Sequence, residues 1–367
     1  RRRHHAPQAG AGGLNTLLRE AFIFLSENSL ARRISMNAPG ARSMARRFVA
    51  GESIDDGIAA ARELVDNGFG VSLDYLGESV KSREEAVAAA DTYVRLLGRI
   101  GSDPVLREKV NVSLKLTQMG QDIRRGDGAG TAQSGARWPQ PARGATPENA
   151  GDWDEEFLRS NVVRILDVAR EHDIFVRFDM EGTPHTQRTL DFFRSLWDDG
   201  YRNIGVVLQS YLFRTPHDAT QASLLGARVR LCKGAYREPP EYAHQPKNAV
   251  DAAFVDVMKT LVSDGVYPGI ATHDPAMIDA TTAYTRKHDI PNSGWEFQML
   301  YGVRRDLQHS LLGQGYNVRI YVPFGEAWYP YLMRRLAERP ANVMFIMSSV
   351  LAESPLGFLV RRKQKRQ

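Results

Sequence analysis

The chain has 367 residues, of which 43% are apolar and 25% are charged, and its formal net charge is +5. This balance is typical of globular enzymes, and the length is sufficient for one α/β barrel domain. A single cysteine, Cys232, excludes a disulfide scaffold and a cysteine-based zinc or iron–sulfur site. The sequence has no run of eighteen apolar residues and no apolar segment behind its opening arginines. We therefore expect a cytoplasmic protein without a signal peptide.

The positive charge is concentrated at the two ends of the chain. Three arginines open the sequence and five Lys or Arg residues lie between positions 361 and 366, whereas the remainder carries 40 positive and 43 negative side chains. We expect residues 1–40 to be a flexible segment and residues 351–367 to be a basic, solvated tail. Basic tails also bind anionic lipid, so peripheral contact with the inner face of the membrane is a hypothesis for this tail. A non-enzymatic adaptor working through the tails is an alternative, and we expect no nucleic-acid partner.

Short apolar and β-branched runs alternate with segments of helical periodicity over most of the chain. Helical spacing is clear at 84–100, 155–172 and 249–264. Eight runs followed by eight helices predict an α/β fold, a (β/α)₈ TIM-type barrel over residues 68–350, with a doubly wound sheet as the alternative. Extra N-terminal helices are predicted within 41–67, with Ser53 as an N-cap. The eight runs begin at Gly68, Val110, Ile174, Asn203, Val229, Tyr267, Trp295 and Asn317.

One connection is unusually long. Residues 121–152 are rich in Gly, Pro, Ala and Arg and show no apolar period. Connections of this length are either functional or disordered. We expect a disordered insertion, with a lid over the active site as the alternative.

Polar side chains cluster inside the predicted strands or just after them. In a barrel the chemistry takes place where the strands end, so these side chains are candidates for the site. Arg334 and Arg335 are adjacent on the last predicted helix and diverge by about 100°, which suits them to gripping a carboxylate from two sides. The sequence has no dinucleotide or Walker fingerprint, no histidine pair with metal-ligand spacing and no nucleophile elbow.

Seven motifs in chain order resemble the proline dehydrogenase family. They are VSLKLTQMG, VRFDMEGT, VVLQSYLFRT, RLCKGAYREP, ATHDP, EFQMLYGVR and RIYVPFGEAWYPYLMRRLAE. The resemblance implies a distorted (β/α)₈ barrel that binds FAD without a Rossmann unit. It also implies oxidation of L-proline to 1-pyrroline-5-carboxylate by hydride transfer to the flavin, with electrons passed to a quinone. No metal is implied, and the product would pass to a pyrroline-5-carboxylate dehydrogenase.

The resemblance also assigns side chains to the substrate site. The proline carboxylate would be held by three cations, Lys115, Arg334 and Arg335, and the pyrrolidine ring would pack on Tyr321. The pocket would also be lined by Tyr236 and Leu300. The arginines would pair with Glu78 and Glu338, and one more acid, Asp179, would lie in the site.

A second set of residues is similar to the family's FAD contacts. The strand-five motif RLCKGAY contributes four of them, and Gly234 would allow a ligand to approach the backbone closely. We expect Cys232 in the same motif to be a small apolar side chain. The full set is Gln209, Arg230, Lys233, Gly234, Ala235, Thr272, His273 and Glu296.

Two other enzyme functions remain open from the residues. The unusual insertion motivates a flavin-dependent dehydrogenase of another cyclic secondary amine or imino acid. A lyase that uses Lys115 or Lys233 as a Schiff base belongs to a different class.

Overall fold

The strands close into a single parallel barrel. The computed structural model describes residues 45–77, 80–125, 137–146 and 151–338, with side chains up to residue 333. Each strand pairs with the next along the chain and β8 pairs with β1. The predicted (β/α)₈ barrel is therefore confirmed, and the alternative, a doubly wound sheet, is wrong. The predicted segments 1–40 and 351–367 lie outside the described residues. The strands are β1 Gly70–Tyr75, β2 Val110–Leu114, β3 Val176–Phe178, β4 Ile204–Gln209, β5 Arg228–Cys232, β6 Gly269–Ala271, β7 Glu296–Leu300 and β8 Val318–Phe324.

Helices surround the barrel, and the three predicted helical segments correspond to α2, α4 and α7. Across the described residues, no helix combines the length and apolar character needed to span a bilayer. The helices are α1 Ile54–Asp66, α2 Arg83–Gly101, α3 Pro104–Lys109, α4 Glu155–Glu171, α5 Thr183–Asp198, α6 Thr215–Leu225, α7 Lys247–Asp264, α8 Pro275–Lys287, α9 Arg305–Gly313 and α10 Trp328–Glu338.

The predicted extra N-terminal helix is α1, and it begins where the sequence places its cap. The Ser53 hydroxyl accepts a hydrogen bond from the Asp56 amide at 3.1 Å, and the Asp56 carboxylate accepts from the Ser53 amide at 2.9 Å. This reciprocal pair satisfies amides that the first helical turn leaves without partners. The helix packs closely on the barrel, since a Cβ atom at Gly57 would lie 3.1 Å from the Phe324 ring.

Alternation along each strand sorts the side chains into two sets. On β1, Val71 and Leu73 are fully buried in the apolar layer between strands and helices. Ser72 and Asp74 have the opposite orientation, and the Ser72 hydroxyl lies 3.0 Å from that of Ser113 on β2. Helices therefore rest on an apolar cylinder, while the interior of the barrel carries the polar groups.

The described part of the long insertion packs on the side of the barrel. The Trp138 side chain is 1% exposed, and its indole Nε1–H donates to Asp218 Oδ1 at 2.9 Å. Arg214 joins this anchor by donating to Thr146 Oγ1 at 2.7 Å and to Asp218 Oδ2 at 2.6 Å. Residues 137–146 are thus packed rather than disordered. None of them lines the cavity at the carboxyl-terminal ends of the strands. Residues 126–136 and 147–150 lie outside the described residues.

The Trp138 anchor leads to a stability prediction. Trp138→Phe removes the donor to the buried Asp218 carboxylate, whereas Trp295→Phe removes an indole Nε1 that has no hydrogen-bond partner among the described residues. Both rings are 1% exposed, so the change in packing volume is matched. We expect urea denaturation to show that Trp138→Phe lowers the free energy of unfolding by about 1–3 kcal/mol more than Trp295→Phe does. Equal losses would show that the hydrogen bond does not anchor the insertion.

Candidate active site

A cavity of about 800 Å³ opens at the carboxyl-terminal ends of the strands. Parallel strands that all run towards one rim bring side chains distant in sequence to the same place. Most of the predicted site residues line this cavity: Lys115, Asp179, Gln209, Arg230, Lys233, Gly234, Ala235, Tyr236, Thr272, His273, Leu300 and Tyr321.

The Asp179 carboxylate, just beyond β3, links a side chain of β5 to a side chain of β8. Its Oδ1 accepts a hydrogen bond from Arg230 Nη1 at 2.7 Å, and its Oδ2 accepts from the Tyr321 hydroxyl at 2.7 Å. The Arg230 guanidinium also lies over the Tyr321 ring, 5.1 Å from its centroid. Burial, reinforced by the charges of Asp179 and Asp74, raises the pKa of Tyr321 well above its ordinary value. Tyr321 therefore stays protonated and donates to Asp179 throughout the physiological range.

Arg230 is held by polar groups from four strands or strand ends. Besides Asp179, its guanidinium donates to the Ser72 hydroxyl at 3.3 Å, to the Ser113 hydroxyl at 3.1 Å and to Gln298 Oε1. The side chain is 7% exposed, so its charge is largely removed from water. A buried arginine is tolerated only when its donors are satisfied, and here most of them are. The result is a fixed positive charge within the cavity wall.

Lys115 follows β2 and carries a second cation into the cavity. Its Nζ lies 3.4 Å from both carboxylate oxygens of Asp74 and 3.8 Å from Asp179 Oδ2. Asp74 is fully buried, whereas the Lys115 side chain keeps 14% of its surface exposed and lines the cavity. The flanking carboxylates favour the charged ammonium form. A Schiff-base role needs the uncharged amine, so these ion pairs argue against the lyase hypothesis at Lys115.

The end of β5 turns its backbone towards the cavity at Gly234. This residue has φ +129°, and a Cβ atom there would lie 2.4 Å from the Tyr211 ring, so only glycine is accommodated. The following amide, that of Ala235, lies 3.4 Å from Gln209 Oε1. Gln209 is itself oriented because its Nε2 donates to the Glu181 carbonyl at 3.0 Å. This wall combines exposed backbone with an ordered amide side chain.

Thr272 and His273 form the adjoining wall after β6. His273 Nε2 accepts a hydrogen bond from the Leu300 amide at 3.0 Å, which places the proton of the neutral ring on Nδ1. Thr272 Oγ1 accepts from the Asp274 amide at 3.0 Å. Asp274 in turn accepts from Lys233 Nζ at 2.7 Å, and this hydrogen bond lowers the pKa of Asp274. Lys233 also pairs with Asp251, so its Nζ contacts two carboxylates.

Cys232, the last residue of β5, also lines this cavity. It is half-buried, and its Sγ lies 3.6 Å from the Leu208 carbonyl oxygen. Among the described residues, no group of His, Cys, Asp and Glu has the geometry to hold a metal ion.

Glu296 is placed away from this cavity. It is the first residue of β7, whereas the cavity is lined by the far end of that strand at Leu300. Its carboxylate accepts from Arg319 Nε at 2.7 Å and from Gln298 Nε2 at 2.6 Å, and it borders a separate cavity at the other end of the barrel. Four residues of strand separate the two positions by roughly 13 Å. The structure thus gives no support to Glu296 as a flavin contact.

Four predicted residues cannot be placed. Glu78 lies outside the described residues. Arg334, Arg335 and Glu338 lie within α10, whose backbone is described at these positions while their side chains are not.

Asp74, Ser72, Ser113 and Gln298 complete the site. The sequence marks Asp74 and Gln298 as polar residues of their strands without giving them a role, whereas Ser72 and Ser113 are not predicted. A signal was present in the sequence, since Ser72 and Asp74 alternate with Val71 and Leu73. In a barrel strand the polar members of such an alternation point inwards. Their partner could not be derived, because Arg230 is 158 residues away from Ser72.

The comparisons with known proteins agree with this geometry. The family model described as Proline dehydrogenase matches residues 58–348. The chain is 35% identical to proline dehydrogenase 2 of Bacillus subtilis over 90% of its own length and 97% of that protein. It is 34% identical to a proline dehydrogenase of Deinococcus radiodurans over 92% of its length and 99% of that protein. The chain belongs to the proline dehydrogenase family.

Longer members of this family share the fold. The crystal structure of proline utilization A from Bdellovibrio bacteriovorus, inactivated by N-propargylglycine, matches with a TM-score of 0.72 and 25% identity. That match covers 95% of this chain and 39% of the longer one. The bifunctional protein PutA of Escherichia coli is 28% identical, and the match covers 25% of it. The chain thus corresponds to well under half of these larger proteins.

The Asp179 cluster leads to a second stability prediction. Asp179→Asn leaves the buried Arg230 charge without its carboxylate partner, so we expect it to lower the free energy of unfolding by about 3–5 kcal/mol in urea denaturation. Asp306→Asn is the control, because Asp306 pairs with Arg304 on the exposed cavity rim. We expect no measurable change for that variant. Similar stabilities for the two variants would contradict the structural importance of Asp179.

Proposed function

We propose that this protein oxidises L-proline to 1-pyrroline-5-carboxylate with FAD bound in the 800 Å³ cavity. The observation that carries the proposal is the cluster of Lys115, Asp179, Arg230 and Tyr321 at the strand ends of a chain that belongs to the proline dehydrogenase family. The cluster supplies cations for a carboxylate and an aromatic ring for a small cyclic amine.

The substrate carboxylate is assigned to Lys115, together with Arg334 and Arg335 on α10. Lys115 is the member of this trio whose side chain is described, and it reaches the cavity from β2 while Asp74 and Asp179 hold it in position. Charge-assisted hydrogen bonds of this kind fix a ligand's orientation as well as its affinity. Such positioning can lower a reaction barrier by roughly 7–11 kcal/mol in favourable cases.

The pyrrolidine ring is assigned to the space beside Tyr321, in the cavity that Tyr236 and Leu300 also line. The Tyr321 ring is held at both ends, by its hydroxyl on Asp179 and by Arg230 over its face. A ring fixed in this way leaves little room for an added hydroxyl group, which favours proline over hydroxyproline. Glu78 and Glu338 are proposed to pair with the arginines of α10.

The described residues fit a flavin. Gly234 and Ala235 present backbone to the cavity, Gln209 presents an oriented amide, and Thr272 and His273 form the adjoining wall. Lys233 and Arg230 add positive charge, which suits a ligand that carries phosphates and a reduced form that is negative. When bound, the flavin would supply the redox chemistry by accepting a hydride from the ring carbon next to nitrogen.

We further propose that the electrons continue to a membrane quinone and that the product passes to a pyrroline-5-carboxylate dehydrogenase. The bifunctional relatives support a second activity working next to the first. Contact of the basic tail 351–367 with the inner membrane face, from a cytoplasmic location, belongs to the same proposal. Sedimentation with anionic liposomes at low salt tests that contact, which deletion of the tail should abolish.

The alternative substrate, another cyclic amine, was motivated by the long insertion. The described part of that insertion, residues 137–146, packs against α5 and α6 and does not reach the cavity. It therefore gives no reason to prefer a substrate other than proline.

The direct test is a visible absorption spectrum of the purified protein. We expect a bound flavin spectrum that bleaches anaerobically when L-proline is added. Protein that stays colourless after incubation with FAD, or a bound flavin that L-proline does not reduce, would overturn the proposal.

Lys115→Met removes one cation from the proposed carboxylate site while keeping a long side chain. We expect kcat/KM for L-proline to fall by roughly 10- to 100-fold, the effect of losing a hydrogen bond to a charged group. Lys259→Met on the exposed face of α7 is the control and should retain the original kcat/KM. Unchanged kinetics in Lys115→Met would remove this residue from the substrate site.

Gly234→Ala tests the flavin wall. The variant introduces strain at φ +129° and a contact with Tyr211, so we expect a large fall in the flavin bound per chain, measured by absorbance after gel filtration. Gly226→Ala is the matched control, because Gly226 has φ +74° but has no atom within 4 Å of an added Cβ. A full flavin complement in Gly234→Ala would show that this wall does not contact the cofactor.

A further inference from the structure

A second cavity, of about 300 Å³, lies at the amino-terminal end of the barrel, opposite the active site. Its walls come from the first residues of several strands and from the segments that precede them. Arg228 and Arg319 face it from β5 and β8, and Asn111 lies at the start of β2. Neither the proposed reaction nor the flavin uses these groups.

Arg228 lies close to two aromatic rings. Its guanidinium carbon lies 4.8 Å from the centroid of Phe175 and 4.6 Å from that of Tyr267. Arg177 lies on Phe175 as well, 4.9 Å from its centroid. Contacts of this kind with aromatic rings restrict the motion of the Arg228 side chain. An arginine held in this way is preorganised to bind an anion through two parallel hydrogen bonds.

Within the described part of the chain, Arg228 has no carboxylate partner and its side chain makes no hydrogen bond. The acids nearby are engaged elsewhere: Glu296 pairs with Arg319 at 2.7 Å, and Glu108 pairs with Lys109 at 3.3 Å. Arg177 donates to the backbone carbonyls of Val206 and Arg228. Burial lowers the pKa of Arg228, and the charge of Glu296 acts in the opposite direction without offsetting it.

Additional cations lie at the mouth of this cavity. Arg107 and Lys109 line it from the end of α3, both exposed, and Asp173 is the acid on the same rim that has no ion pair among the described residues. Tyr267 adds a phenol whose pKa burial raises to about 12, so its hydroxyl remains a donor. Its backbone adopts φ +44°, a conformation that aromatic residues rarely occupy and that stores strain where it holds Tyr267 against Arg228.

We propose that this cavity binds a small oxyanion of the phosphate or sulfate class, with the Arg228 guanidinium as its principal ligand. The cavity has ample room for a small ion, and its lining carries four cations, Arg107, Lys109, Arg228 and Arg319, against three acids, Glu108, Asp173 and Glu296. The planar donor edge of Arg228 matches the oxygen spacing of such an ion. Arg107 and Lys109 contribute longer-range attraction at the entrance.

The test is calorimetric titration of the flavin-loaded protein with inorganic phosphate, and separately with sulfate, at constant ionic strength maintained by sodium chloride. We expect saturable binding of one ion per chain with no change in the flavin spectrum. Arg228→Gln should weaken binding roughly tenfold or more, as expected for the loss of a charge-assisted hydrogen bond. Arg107→Gln should weaken it to a smaller extent.

The control is Arg170→Gln, because Arg170 also stacks on an aromatic ring, 5.1 Å from the Tyr201 centroid, but on the outer surface. Its phosphate affinity should equal that of the original protein. Absence of saturable binding in the original protein would overturn the proposal, and so would an unchanged affinity in a folded Arg228→Gln variant. If Arg228→Gln does not fold, Arg107→Gln provides the test. An unchanged phosphate affinity in that variant, together with release of the flavin by phosphate, would place the ion in the active-site cavity and would also overturn the proposal.

Discussion

The carboxylate of Asp179 is the constraint on which the site depends. It is the point where β3, β5 and β8 meet through side chains, with Arg230 on one oxygen and Tyr321 on the other. A buried arginine without an acceptor would be strongly destabilising, and a buried carboxylate without donors equally so. The hydrogen bonds between Asp179, Arg230 and Tyr321 thus offset the cost of burying each group. Together they fix the Tyr321 ring and the Arg230 charge before any ligand binds. Preorganisation of this kind lowers the free-energy cost of ordering the site during the reaction.

The hydrogen bonds that begin at Asp179 and Arg230 continue through the interior of the barrel. Gln298 links the two ends, since its Oε1 accepts from Arg230 and its Nε2 donates to Glu296 at 2.6 Å. Glu296 then pairs with Arg319, which also donates to the Val71 carbonyl at 2.8 Å. Despite complete burial, the pKa of Glu296 is lowered, because the charge of Arg319 and its hydrogen bond outweigh the loss of water. Four side chains, those of Arg230, Gln298, Glu296 and Arg319, are therefore joined by hydrogen bonds inside an apolar cylinder.

Much of this fold could be predicted from the letters alone. The eight strands follow from a period of two and from runs of β-branched residues, and Ser53 marks the start of α1 because a cap needs a short polar side chain. Most of the residues that motif resemblance assigned to the site line the cavity. Glu296 is an exception because it begins β7, and the active-site cavity is lined by the carboxyl-terminal end of that strand.

The side-chain pairings inside the barrel could not be predicted from the sequence. Nothing in a single chain shows that Arg230 contacts Ser72, Ser113 and Gln298, because these contacts depend on barrel closure and on the register between strands. The insertion is a similar case. Its composition is that of a disordered loop, yet one buried tryptophan and one ion pair on α6 hold residues 137–146 against the barrel. A few well-placed hydrogen bonds outweigh composition there.

A double-mutant cycle on Asp179 and Tyr321 tests the central claim most directly. The kcat/KM for L-proline would be measured for the original protein, Asp179→Asn, Tyr321→Phe and the double variant. Residues that act as one hydrogen-bonded unit are not additive, so we expect a coupling energy on the order of 1 kcal/mol or more. Effects that add, with a coupling energy near zero, would show that the two side chains act independently and would contradict the account.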